Sequence, residues 1–144
     1  MPHHPSSRVP RLAIVSLVAG LGTLQLPAQS HDYQDGETNT GSISGPALNV
    51  ASGSATQRGD ITGHASKTGA GTLTIFGSTA QGIEVANGTL NLHAAQAEGL
   101  LGVSGSQSVL NLFPSTGYSL YTVTVDEGGT LNFASPSGSL ETSG

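Results

Sequence analysis

Short apolar runs with one central polar or small residue recur along the chain, and they constrain its fold more than any other feature. Five of them have Asn or Thr at the centre: Leu48-Asn49-Val50, Leu73-Thr74-Ile75, Leu90-Asn91-Leu92, Leu110-Asn111-Leu112 and Leu131-Asn132-Phe133. Three more alternate with the later members: Ile83-Glu84-Val85, Leu101-Gly102-Val103 and Val123-Thr124-Val125. Because side chains alternate between the faces of a strand, each run predicts a short β-strand with its apolar pair on one face.

The two sets of runs, with the glycine-rich turns between them, form a unit of about twenty residues. Starts of the first set are separated by 25, 17, 20 and 21 residues. Imperfect repetition at this length predicts the coils of a solenoid, and the alternative is a meander of hairpins. An apolar content of 35% is too high for a disordered chain. We therefore predict an all-β solenoid of about five coils.

The first thirty residues differ in composition from the rest. Arg8 and Arg11 precede a short apolar run over residues 12–21, and small residues follow up to Ser30. This order is typical of a secretory signal peptide cleaved after Ala28 or Ser30, and a membrane anchor is the alternative. The predicted organisation is a signal peptide over 1–30, a polar segment or loose cap over 31–45, and the solenoid over 46–144.

The charge balance after the signal region is strongly acidic. All nine acidic residues but only two basic ones, Arg58 and Lys67, follow Ser30, so this segment has a net charge of −7. Such a surface repels phosphate backbones, and we expect no nucleic-acid partner. Cysteine is absent, so disulfides cannot stabilise the exported chain.

A family resemblance rests on three phrases. "SKTGAGTLTIFG" covers residues 66–77, "GIEVANGTLNL" covers 82–92, and "VDEGGTLNF" over 125–133 repeats the second half. These phrases resemble the passenger-associated β-strand repeat of bacterial autotransporters, the family of the pertactin-like adhesins. The resemblance implies a right-handed parallel β-helix that is exported to the periplasm and then to the cell surface, in a role associated with adhesion or virulence. Family members end in a membrane barrel, whereas this chain ends in the polar segment 140–144, so the resemblance predicts a passenger fragment.

Arg58-Gly59-Asp60 is the one short motif with a known recognition chemistry. Integrins bind such a tripeptide when a tight loop presents the guanidinium and the carboxylate at opposite ends, and glycine permits the turn. A solvated turn with an incidental ion pair is the alternative. The motif therefore predicts a host cell-surface receptor or extracellular matrix as a candidate partner.

Catalytic and metal-binding patterns find little support. His31, His64 and His93 are scattered without metal-ligand spacing, and we expect neither a metal nor a cofactor. Acidic residues are dispersed as well: Glu84, Glu98, Asp126 and Glu127. Thr-x-Thr, which could order water on a flat face, occurs at residues 72–74 and 122–124, too few instances for a ladder.

The sequence therefore predicts a non-catalytic, exported surface module. A secreted β-helical enzyme acting on polysaccharide, and a non-functional remnant of a truncated gene, are the alternatives. A solenoid also has open ends with unpaired strand edges, and the last predicted coil carries the runs 123–125 and 131–133. We expect self-association through that end.

Overall fold

The computed structural model describes residues 30–93, 97–113 and 122–133, which are all strand, turn or irregular structure, without a helix. Residues 1–29 of the predicted signal peptide and the segment 134–144 lie outside the described residues. The strands are β1 (His31–Tyr33), β2 (Thr38–Asn39), β3 (Ala47–Val50), β4 (Ser54–Gln57), β5 (Ala65–Thr68), β6 (Thr72–Ile75), β7 (Gly82–Val85), β8 (Gly88–Leu92), β9 (Leu100–Ser104), β10 (Ser108–Leu112), β11 (Thr122–Asp126) and β12 (Thr130–Phe133).

The strands form two parallel six-stranded sheets. Odd-numbered strands stack in the order β1-β3-β5-β7-β9-β11, and even-numbered strands stack as β12-β10-β8-β6-β4-β2. Every neighbouring pair is parallel, and partners lie about one coil apart in sequence, as in the pairing of Asn91 with Asn111. This is a β-solenoid, so the predicted fold class is confirmed and the hairpin meander, which needs antiparallel neighbours, is excluded.

A third column of contacts runs beside the two sheets. Single parallel bridges join Ile43 to Ile61, Ile61 to Thr79, and Thr79 to Ala97. Each of the first four coils thus has three sides. Residues 31–45, predicted as a polar segment or loose cap, form the first coil and supply both β1 and β2.

The apolar residues of the repeated phrase face inward, as predicted. Leu90, Leu92, Leu110 and Leu112 are buried, while Asn91 and Asn111 between them are partly exposed. The grouping of the first run with the other four is wrong. Leu48-Asn49-Val50 belongs to β3 in the odd-numbered sheet, whereas the other four runs lie in the even-numbered sheet. The matching phrase in the even-numbered sheet is Ala55-Thr56-Gln57, since Ala55 pairs with Leu73. This explains the irregular spacing of 25 residues.

Glycine opens the repeated Gly-Thr-Leu phrase because successive coils approach closely there. A Cβ on Gly71 would lie 2.6 Å from Cγ1 of Val50, and one on Gly129 would lie 2.8 Å from the carbonyl oxygen of Val103. Gly88 also has φ of +73°, a conformation that side-chain-bearing residues avoid. In the phrase, the glycine permits the close approach of the coils because it has no Cβ, and the leucine two residues later points into the core.

Burial of the core falls in the last described coil. Val103 of β9 is 1% exposed, whereas its partner Val125 of β11 is 47% exposed. Leu131 and Phe133 of β12 are only partly buried against the core. Within the described residues, β11 and β12 are the final strands of their sheets.

Candidate functional site

Arg58-Gly59-Asp60 lies at a corner of the second coil, between the end of β4 and Ile61. The backbone N–H of Arg58 donates to the carbonyl oxygen of Asn39 at 2.8 Å, and the carbonyl oxygen of Asp60 accepts from the N–H of Ile43 at 2.8 Å. The tripeptide backbone therefore belongs to the ladder between the first and second coils, and it does not protrude as a loop.

Gly59 has a packing role that is independent of recognition. A Cβ on Gly59 would overlap the carbonyl of Gly41 in the preceding coil, and a Cβ on Gly77 would overlap the carbonyl of Gly59. Three glycines thus stack at this corner. Their close approach is a structural reason for glycine in the middle of the tripeptide.

Both charged side chains of the tripeptide are exposed and contact the next coil. The guanidinium carbon of Arg58 lies 5.0 Å from the centre of the Phe76 ring. Oδ1 of Asp60 accepts a hydrogen bond of 2.9 Å from the backbone N–H of Ser78. The corner therefore presents a cation and a carboxylate at its two ends, each in contact with the third coil.

A column of rings begins under Arg58. Phe76 and His93 stack with centroids 4.9 Å apart and planes at 22°, and His93 and Phe113 stack at 4.1 Å and 4°. Each ring follows an inward residue of the even-numbered sheet, and its backbone N–H donates to the coil before it. We call Phe76, His93 and Phe113 the ring column. The imidazole of His93 therefore lies between two phenyl rings.

The other histidines and the carboxylates do not assemble a metal centre. No group of three or more His, Cys, Asp or Glu side chains within 30–93, 97–113 and 122–133 could hold an ion. His31 Nε2 lies 3.3 Å from Oε1 of Glu37. The backbone N–H of Gln34, and then His31, lower the pKa of Glu37. This contact joins β1 to the turn before β2 in the first coil, and both side chains are partly exposed.

Lys67, the only lysine of the chain, is buried in the core between Leu48 and Val85 of the neighbouring coils. Its Nζ donates to the carbonyl oxygens of Thr68, Gly69 and Asn87 at 2.9, 2.7 and 2.9 Å. Burial lowers the pKa of Lys67 to about 8. The first residue of the Lys-Thr-Gly phrase therefore closes two turns from inside the solenoid and is not a surface charge.

A second buried polar group, Gln57, supports the corner from inside. Its Oε1 accepts from the Tyr33 hydroxyl at 2.8 Å and from Asn39 Nδ2 at 2.9 Å. Its Nε2 donates to the carbonyl oxygens of Gly41 and Gly59 at 2.8 and 2.9 Å. The carboxamide thus uses both donors and two acceptor positions. Burial, and then the charge of Glu37, raise the pKa of Tyr33.

Sequence reasoning missed the ring column and the buried side chains of Gln57 and Lys67. The ring column has a detectable signal, because Phe76, His93 and Phe113 all directly follow a Leu-x-Ile or Leu-x-Leu run. Gln57 and Lys67 have a weaker one, since each occupies an inward position in its strand.

The described strands and turns contain no helix that is long and apolar enough to cross a membrane. Comparisons with protein-family models, with curated proteins and with solved structures found nothing that matches this chain.

Proposed function

We propose that the chain is a non-catalytic β-solenoid module of an exported, autotransporter-type surface protein that contributes to adhesion. The observation that carries this proposal is the placement of the phrase over residues 67–92. Lys67 closes the turns of two successive coils, and Gly71 and Gly88 occupy equivalent close approaches before the inward leucines. The lysine, the glycines and the leucines of the phrase thus each have a physical role in stacking coils, which supports a scaffold that displays its surface.

The corner at Arg58-Gly59-Asp60 supports adhesion as the use of that scaffold. An exposed cation–π contact contributes about 0.5–1 kcal/mol. A typical hydrogen bond contributes about 0.5–1.5 kcal/mol net, somewhat more to a charged group. A receptor that binds the guanidinium and the carboxylate therefore has to displace contacts of modest strength. Host-cell integrins or matrix proteins are the proposed partners, and self-association through the last coil is a second proposed contact.

Two alternatives make different predictions. A β-helical enzyme acting on polysaccharide would cleave members of a glycan panel, and a non-functional remnant would neither cleave glycans nor bind cells. Export is tested by expressing the full chain in a Gram-negative host and assaying periplasm and medium. We expect processed protein outside the cytoplasm, and retention of a Leu17→Arg variant, whose charge interrupts the apolar run. Wild type found only in the cytoplasm contradicts export.

Adhesion is tested by attachment of integrin-bearing cells to purified protein. We expect Asp60→Glu to reduce attachment by at least about tenfold, because the extra methylene moves the carboxylate out of a geometry set by the corner. Asp126→Glu is the matched control, since Asp126 is an exposed carboxylate on β11. Circular dichroism should be the same for both variants. Equal attachment of the two variants leaves the tripeptide as a structural corner only.

A further inference from the structure

The outer face of the even-numbered sheet is a regular array of small uncharged side chains, nine of them polar and one a valine. We call its outward positions in the last five strands the Thr/Asn face. One column contains Ser54, Thr72, Thr89, Val109 and Thr130, and the next contains Thr56, Thr74, Asn91, Asn111 and Asn132. All ten are partly or fully exposed, and none carries a charge.

The array is regular because the coils stack in register. Thr72 pairs with Thr89, and Asn91 pairs with Asn111, which pairs in turn with Asn132. Neighbouring strands lie about 4.7–4.9 Å apart, and alternate residues along a strand lie about 6.6 Å apart. The face therefore repeats its polar groups in two dimensions over five coils. A search of the sequence for Thr-x-Thr alone does not detect this array, because Asn replaces the second Thr from β8 onward.

Hydrogen bonds along the axis hold the asparagine column in place. Asn132 Nδ2 donates to Asn111 Oδ1 at 2.8 Å, Asn111 Nδ2 donates to Asn91 Oδ1 at 2.7 Å, and Asn91 Nδ2 donates to the Thr74 hydroxyl at 3.3 Å. Each of these contacts uses one of the two N–H donors of an amide. The amides and the threonine hydroxyls of both columns lie on a face that is open to solvent.

The spacing of the coils is close to a distance that occurs in ordered water. With O–H···O distances of about 2.75 Å, next-nearest oxygens of a tetrahedral water network lie about 4.5 Å apart. This oxygen–oxygen distance differs from the spacing between coils, about 4.7–4.9 Å, by less than about 10%. A water molecule that bridges equivalent hydroxyls of successive coils has an angle of about 120° at its oxygen, close to tetrahedral.

The absence of charge on the Thr/Asn face distinguishes it from the other sheet. Outward positions of the odd-numbered sheet include Asp32, Glu84 and Asp126. A charged side chain orients its hydration water around itself, which opposes a common lattice. An uncharged face in an acidic chain therefore suits an uncharged, hydrogen-bonding partner with a matching repeat.

We propose that the Thr/Asn face binds the surface of ice. The occupant is crystalline water, held by hydroxyls and amides that extend its tetrahedral network along the solenoid axis. The role is independent of the corner at Arg58-Gly59-Asp60, because the corner lies beyond the end of β4 and outside both columns.

The test is inhibition of ice recrystallisation by the full chain purified after export, together with the fraction of protein that a slowly growing ice hemisphere takes up. Thr89→Lys introduces a long, charged side chain at the centre of the face. Ser66→Lys is the matched control, because Ser66 is partly exposed on the outer face of the odd-numbered sheet. Thr72→Lys, one coil away on the Thr/Asn face, repeats the test at a second site, and circular dichroism confirms that each variant is folded.

We expect wild type and Ser66→Lys to inhibit recrystallisation at equal concentrations and to enter the ice. The Thr89→Lys and Thr72→Lys variants should need at least about tenfold more protein. Folded wild type that is excluded from ice overturns the proposal, and so do face variants that match Ser66→Lys. Retention on an insoluble neutral polysaccharide without activity on ice, or a dimer that Thr89→Lys dissociates, would assign the face to a glycan or to a second copy and also overturn it.

Discussion

The interior of the solenoid differs between its first coils and its middle coils. In β8 and β10 the inward residues are leucines that stack on one another. In the first three coils the inward residues include Tyr33, Gln57 and Lys67. The backbone ladder is continuous through both regions, so a coil does not require a purely aliphatic interior.

The two regions obtain specificity in different ways. If the pairing slipped by one coil in the middle region, each leucine would meet another leucine and its contacts would change little, because the hydrophobic effect is non-directional. Gln57 cannot be moved in this way, since its hydrogen bonds go to Tyr33, Asn39 and Gly41 in the first coil and to Gly59 in its own. We infer that the aliphatic coils supply most of the stability, while the polar coils fix which coil lies next to which.

The largest expected effect concerns the aliphatic region. Leu92→Asp should reduce the free energy of unfolding by several kcal/mol, because an unpaired carboxylate would lie in an apolar core. The matched control is Asn91→Asp, on the opposite face of the same strand. It keeps the oxygen that accepts from Asn111 and loses only the bond to Thr74. Denaturant unfolding measures both, and equal destabilisation by the two substitutions contradicts the inward and outward assignment of β8.

The success of the sequence prediction differs between the same two regions. Leucine pairs with alternating polar residues predict the strands of the middle coils, because burial by periodicity is a local signal. The coil at Ala55-Thr56-Gln57 lacks that signal. Its interior residue is stabilised by partners that precede it by 16 to 24 residues, and a local pattern cannot show them.

The sequence predicted the candidate site only in part, because it shows the motif but not the contacts that the motif makes with other coils. Arg58-Gly59-Asp60 was identified from the sequence, but its position in the ladder and the contact of Arg58 with Phe76 depend on the stacking of coils. The Thr/Asn face also follows from stacking, since register places residues from five strands into two columns.

The second prediction concerns the pH dependence of stability that the polar region introduces. Burial lowers the pKa of Lys67 from 10.5 to about 8, so the folded protein releases this proton at a lower pH than the unfolded chain does. The unfolded state then binds more protons above pH 8, and stability should rise with pH. Tyr33 acts in the opposite direction above about pH 10, because its pKa is raised in the folded protein.

Between pH 8 and pH 10 we expect the free energy of unfolding to increase by about 2–3 kcal/mol in wild type. Lys67→Met should remove this increase, because methionine has a similar length and no proton to release. Urea unfolding at a series of pH values measures the slope. If the Lys67→Met variant keeps the wild-type slope, another group causes the pH dependence. Lys67 then does not give the polar region a pH-dependent stability.

The smallest expected effect separates the cost of an unpaired partner from the value of the polar network as a whole. Gln57→Leu should destabilise the protein by about 1–3 kcal/mol, because it leaves the Tyr33 hydroxyl and the amide of Asn39 without their acceptor in the interior. Adding Tyr33→Phe removes one of the unpaired groups, so the double variant should recover part of the loss. Unfolding free energies of the wild type, both single variants and the double variant form a cycle that measures the coupling directly. If the effects of the two substitutions simply add, the hydroxyl and the carboxamide act independently, and the inference that this network fixes the order of the coils loses its support.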